Sequence, residues 1–359
     1  MFPRQQMMRG LSAHLCVALL AFAAACSGQR GGAVRLQGAG ATFPAPLYQK
    51  WVSEYGKLQP NITIDYQSIG SGGGIQQITA QTVDFGASDT PMSDDDLRKA
   101  PGALLHIPTV LGAVVITYNL AGVTQPLHLP PDVIADIFLG KIKKWNDPRI
   151  KADNANANLP DADITVVHRS EASGTTGVFT DYLAKVSPEW KQKPGAGKAI
   201  DWPVGQGGKG NEGVSGQVKQ QPDTIGYVEL AYAVQNKLPI ALIKNRAGNF
   251  VAPTLDSTTA AAAESVAQTP DDLRVSITDA AGAQAYPIAS YTYILVYQQQ
   301  QDAAKGKALV DFLWWGIHDG QGVTKDPQYP YAPLPAQIRQ KTEAKLNSIT
   351  ANGQPLHQG

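Results

Sequence analysis

"ITVVHRSEASGTTGVFTDYL", Ile164 to Leu183, runs from an apolar segment through a polar turn into a second apolar segment. Ile164, Thr165, Val166 and Val167 suit a buried strand, and Val178, Phe179, Tyr182 and Leu183 suit a helix packed on it. Between them stand Arg169, Glu171, two serines, two threonines and two glycines. So many donors at one strand-to-helix junction suit a nucleophile's seat, a nucleotide cradle or a receptor for a small anion.

Three other junctions have the same form. "VRLQGAGATFPAPLYQKW" carries Thr42 and Phe43 after two glycines, with Pro44 and Pro46 where the first turn of a helix tolerates a missing N–H. "IDYQSIGSGGGIQQI" sets Ser71 before three glycines. "VDFGASDTPMSDDDL" ends a strand on Ser88 and Asp89, and Ser93 is placed to cap the helix that follows. The first N–H groups of a helix lack internal acceptors and carry the positive end of its dipole, so each junction is a seat for an oxyanion. In open α/β sheets such loops gather at the carboxyl ends of the strands. One junction is weak, because turns and caps use the same residues. Four in one chain, one of them with an arginine, point to a ligand.

Arg169 supplies a fixed charge and a planar fork suited to oxyanions. Asp89 has two readings: a cap at the end of its strand, or an acceptor for the proton that phosphate retains near neutral pH and sulfate lacks.

Between these junctions strand and helix patterns alternate, and "TVLGAVVIT" (109–117) and "YTYILVY" (291–297) suit central strands covered on both faces. The expected fold is α/β with mainly parallel sheet and flanking helices. The chain has 359 residues, of which 43% are hydrophobic, enough for two domains of ordinary size. Thirty basic and thirty acidic residues cancel, which argues against a nucleic-acid binder with its basic stripe and leaves a small-anion receptor open.

Residues 1–26 read as an export signal: Arg4 and Arg9, then an apolar run from Leu11 to Ala25 too short to span a membrane. Its end, "AFAAACSG", fits either an ordinary cleavage site after Ala25 or lipid attachment at Cys26. The other cysteine, Cys16, leaves with the signal, so no internal disulfide is expected.

The stretches "GAGATFPAPLYQKW", "IGSGGG", "TVDFGASDTPMSD", "LGKIKKWND", "ASGTTGVFTDYLAKV", "GGKGNEGV" and "IGYVELAYA" together resemble the phosphate-binding receptors of bacterial high-affinity phosphate ABC transporters. The resemblance covers nearly the whole chain after the signal. It implies a two-lobed, type II periplasmic binding-protein fold, with hinge strands joining a lobe of 27–119 and 290–359 to a lobe of 120–289. It also implies a monomeric periplasmic receptor that takes inorganic phosphate, delivers it to ABC permease subunits and uses no cofactor or metal. Residue by residue it places phosphate contacts on Thr42, Phe43, Ser71, Asp89, Arg169, Ser173, Gly174 and Thr175. Asp89 becomes the proton acceptor and Glu171 the carboxylate beside Arg169, where relatives commonly carry the shorter Asp. His168 is expected on the far side of the strand end.

The rivals lack parts. Ser71 and Ser173 are not in G-x-S-x-G form, and the six histidines form no metal-spaced pair, so a hydrolase has neither an activated nucleophile nor a metal. A receptor for another tetrahedral oxyanion is the nearer alternative. Gly205 to Gly210 matches G-x-G-x-x-G, but with no strand expected before it and no apolar helix after it, it reads as a surface loop. Asp94 to Asp96 read as a helix start, Phe312, Trp314 and Trp315 as core, and Lys141, Lys143 and Lys144 as a solvated face.

Overall fold

The computed structural model describes residues 33–357, so the expected signal and Cys26 lie outside the described residues. The chain opens with β1 (Val34–Gly40), α1 (Ala45–Leu58), β2 (Ile62–Ser68), α2 (Ser71–Thr79), β3 (Phe85–Ser88) and α3 (Asp94–Lys99). A long strand, β4 (Leu104–Asn119), then leads to β5 (His128–Leu129), α4 (Pro131–Phe138) and α5 (Pro148–Ala152). Next come β6 (Thr165–Arg169), α6 (Gly174–Val186), α7 (Pro188–Gln192), β7 (Gln206–Gly208), α8 (Gly210–Gln220), β8 (Thr224–Glu229) and α9 (Leu230–Asn236). The chain continues through β9 (Leu242–Lys244), β10 (Phe250–Val251), α10 (Leu255–Ala263), β11 (Ala289–Tyr297) and α11 (Ala303–Ile317).

Eight strands form one sheet in the order β2-β1-β3-β11-β4-β8-β6-β7. Its two ends are parallel: β1 lies between β2 and β3, and β6 between β7 and β8. Its centre is antiparallel, through β3–β11, β11–β4 and β4–β8. The expected mainly parallel sheet therefore holds at each end and gives way in the middle, because β4 carries the chain out of one lobe and β11 brings it back. β4 changes partner part-way, with Leu104–Ala113 beside β11 and Val114–Asn119 beside β8. The result is a two-lobed binding-protein fold with helices flanking the sheet.

Both crossing strands are buried along almost their whole length, which is why their sequences read as continuous apolar runs. A bulge interrupts their pairing. Pro108 lies opposite Tyr293 and Val110 opposite Thr292, leaving Thr109 without a partner residue. Among the expected core aromatics, Phe312 is buried against Tyr55, while the half-buried Trp314 stacks on His318 and His357.

Candidate functional site

The four junctions lie at the carboxyl ends of β1, β2, β3 and β6. β1 ends on Gly40, where φ is 147° and a Cβ would stand 2.2 Å from the Ala87 carbonyl oxygen, so a side chain there has no room. Each of the next three carbonyls accepts a tyrosine hydroxyl. Tyr66 donates to Ala41 at 2.6 Å, Tyr232 to Thr42 at 2.6 Å and Tyr331 to Phe43 at 2.8 Å. Across a trans peptide the carbonyl and the following N–H point in opposite directions. Holding the Ala41 and Thr42 carbonyls thus turns the N–H groups of Thr42 and Phe43 the other way. Pro44 caps α1 and a proline lies in its first turn, so no N–H is wasted there.

Gly70, with φ at 91°, caps α2 and presents Ser71 as the first helical residue. The Ser71 hydroxyl donates to Asp89 Oδ2 at 3.5 Å and accepts from the Asp89 N–H at 3.3 Å. Thr292, at the bulge in β11, donates its hydroxyl to Asp89 Oδ1 at 2.9 Å. Burial pushes the Asp89 carboxyl up to about 7, with the Thr292 hydroxyl, the Arg169 charge and Ser71 pulling the other way.

In the junction after β6, Ser173 caps α6 by accepting from the Thr176 N–H at 3.1 Å, which leaves its own proton to give. Gly174 and Thr175 occupy the first turn of that helix, where N–H groups have no intrahelical acceptor. The Arg169 side chain is 1% exposed. It donates Nη1 to Thr175 Oγ1 at 3.1 Å and Nε to Glu171 Oε1 at 3.1 Å, and its Nη2 also contacts Glu171. The longer arm of glutamate therefore still reaches the arginine, and Glu171 Oε1 accepts from the Gly210 N–H at 3.1 Å as well.

Thr42, Phe43, Ser71, Asp89, Arg169, Ser173, Gly174 and Thr175 are all buried, and the fold brings them together. A Cβ on Gly174 would stand 2.3 Å from Ser71 Oγ and 2.4 Å from Asp89 Oδ2. Nearby, the Gly72 N–H donates to the Ala172 carbonyl at 2.9 Å. The loops of the two lobes are thus face to face. His168 points elsewhere, stacking on Trp202 with ring centroids 4.7 Å apart, and burial holds its pKa below the usual histidine value.

The expectation of a surface loop at Gly205–Gly210 is corrected. Gln206–Gly208 is a strand paired with Val167–Arg169, and α8 follows with Val214 and Val218 buried. A three-residue edge strand containing two glycines carries no apolar signature, so only its pairing identifies it. This segment delivers Asn211, wholly buried, to the hydroxyls of Thr42 and Thr175 at 2.8 and 3.1 Å. Glu229 is a second buried residue that sequence reasoning missed. Its Oε2 accepts from the Ala231 N–H at 2.8 Å and lies 2.9 Å from the Tyr331 hydroxyl. That hydroxyl also reaches the Phe43 carbonyl at 2.8 Å, so its proton is shared between two acceptors. Burial raises its pKa well above the ordinary carboxylate range.

A sheet crossed by two shared strands, with donors gathered from both ends, defines a binding protein of the periplasmic type, and residues 27–314 match the family model described as a PBP superfamily domain. The chain is 47% identical over 326 residues to the phosphate-binding protein PstS of Pasteurella multocida strain Pm70, covering 90% of this chain and 93% of that one. It is 45% identical over 319 residues to the phosphate-binding protein PstS of Xylella fastidiosa strain 9a5c, covering 89% and 86%. A high affinity periplasmic phosphate-binding protein, PfluDING, solved with phosphate bound at pH 8.5, has the same fold at a TM-score of 0.66, with 21% identity and coverage of 87% and 93%. The chain belongs, within the PBP superfamily, to the PstS family of phosphate-binding proteins.

Proposed function

We propose that this chain is an exported, non-catalytic receptor that encloses one inorganic phosphate between its lobes and delivers it to an ABC permease. Thr42, Phe43, Ser71 and Asp89 hold the anion from the lobe of 27–119 and 290–359. Arg169, Ser173, Gly174 and Thr175 hold it from the lobe of 120–289. Cys26 anchors the monomeric receptor to the membrane if it carries lipid. The names of the relatives support this reading at the level of the ligand.

The observation that carries it is Asp89, the one acid among eight residues that otherwise offer donors or positive charge. An anion that fills such a site must bring a proton for the carboxylate. Phosphate and arsenate do so near neutral pH, and sulfate does not. The ligand bridges helix N-termini of both lobes and so favours the closed form by differential binding.

Calorimetric titration of the mature protein with phosphate, arsenate and sulfate at pH 8 tests the proposal. Phosphate and arsenate bind and sulfate does not compete. Absence of phosphate binding, or equal affinity for sulfate, overturns it.

A further inference from the structure

Asn211 is the second residue of α8 and has no exposed surface. Its amide orientation is fixed. The Glu229 backbone N–H lies 2.9 Å from Oδ1 and can only donate, so that atom is the oxygen and the other is the NH₂. The two protons of Nδ2 then go to Thr42 Oγ1 at 2.8 Å and Thr175 Oγ1 at 3.1 Å. One hydroxyl comes from the end of β1 and the other from the first turn of α6, so a single side chain spans the cleft.

These bonds also settle the polarity of both hydroxyls. A threonine oxygen accepts two hydrogen bonds and donates one. Thr175 Oγ1 already accepts from Asn211 and from Arg169 Nη1 at 3.1 Å. Thr42 Oγ1 accepts from Asn211 Nδ2 and from the Asn211 backbone N–H at 3.4 Å. With their acceptor capacity used, both hydroxyls have only a proton left to give. In the closed form both hydroxyl donors are therefore already aimed, and neither needs further reorganisation to meet the ligand.

We infer that Asn211 is a positioning residue of the anion site, which draws Thr42 and Thr175 together across the cleft and aims both hydroxyl protons at the ligand. The inference rests on the phosphate reading above. Asn211 itself does not touch the anion; it acts through the two threonines.

The test is a double-mutant cycle. Asn211→Ala and the space-filling Asn211→Leu are made in the wild type and in a Thr42→Val, Thr175→Val background, with phosphate affinity read by phosphorus NMR titration. In the wild type each substitution weakens binding by about tenfold to a hundredfold, as two hydrogen bonds are lost. In the valine background the same substitutions change affinity by less than about threefold, because the hydroxyls they act through are gone. Thermal melting of the ligand-free variants checks that each is folded. Equal losses in both backgrounds, or no loss in the wild type, overturn the role of Asn211 and leave the phosphate reading standing. A folded wild type that binds no phosphate overturns both.

Discussion

At Asp89, burial sets a carboxyl pKa of about 7 against an ordinary value near 3.8, and two consequences follow for measurement. A raised acid binds its proton more tightly in the folded state. Its stabilising contribution is present below the unfolded value and is lost as pH rises through about 7. Chemical unfolding of the ligand-free protein should therefore show stability falling between pH 4 and 7, and Asp89→Asn should flatten that slope. In the proposed site the same titration governs selectivity. An ionised Asp89 repels sulfate, whereas a protonated one donates to it, so competition by sulfate for the phosphate site should grow as pH falls below 7. Asp89→Asn should admit sulfate at pH 8 while keeping anion binding; sulfate still excluded in that variant would move the selectivity elsewhere. Glu229 makes a different demand. Burial disfavours its charge, so the isosteric, uncharged Glu229→Gln should cost only about 1 kcal/mol, through one weakened contact to Ala231 or Tyr331. Glu229→Ala leaves the Ala231 N–H buried and unpaired, takes one of two contacts from the Tyr331 hydroxyl and opens a cavity, and should cost about 2–4 kcal/mol in the same unfolding measurement. Asp89 was legible as a residue because it follows "FGAS" at a strand end. Glu229 was not, because its partner Tyr331 stands 102 residues further along the chain and nothing local in "YVEL" announces a buried acid.

The junctions show why some elements can be read from sequence and others cannot. The prolines of α1, the Ser93 cap and the Ser173 cap act within a few residues of themselves, and the spacing of those residues carries the information. The three tyrosine hydroxyls on the Ala41–Phe43 carbonyls act at sequence separations of 25, 190 and 288 residues, and in sequence such tyrosines look like core aromatics. Tyr232→Phe and Tyr331→Phe should each weaken phosphate binding by about fivefold, since each frees one carbonyl of the loop at a net hydrogen-bond cost of about 1 kcal/mol. Calorimetry of the two variants reads this, and unchanged affinity in both would remove the tyrosines from the site. Gly174 gives a steric probe of closure. A methyl group there would collide with Ser71 Oγ and Asp89 Oδ2, yet alanine is a good residue for the first turn of a helix. Gly174→Ala should thus cost at least about a hundredfold in phosphate affinity, as overpacking of a close contact does. Its melting temperature without ligand should stay close to the wild type's.

For the whole molecule, the proposed grip on a small anion from both lobes makes closure and binding one equilibrium. At a free phosphate concentration a hundred times the dissociation constant, the folded state gains about 2.7 kcal/mol, which differential scanning calorimetry should register as a higher unfolding temperature in the wild type. Gly174→Ala should lack that rise at the same concentration. Exposed ion pairs are weaker contributors. Arg274 pairs with Asp94 at 2.6 Å, but Asp94 is 72% exposed, and a surface pair of that kind contributes at most about 1 kcal/mol.

The long strand β4 has a consequence for how the chain acquires its shape. Its first part pairs with β11, so Leu104 lies beside Tyr297 and Ala113 beside Ala289, joining residues more than 170 positions apart. During synthesis or translocation from the N-terminus, β1, β2 and β3 emerge early, yet the strand that seals them to β4 arrives last. The segment between β4 and β11 can gather its own contacts first. Pairings of such long range are slow to form. Refolding should therefore finish on the zippering of β11 between β3 and β4, and hydrogen exchange pulsed during refolding should find the amides of β8 protected before those of β11.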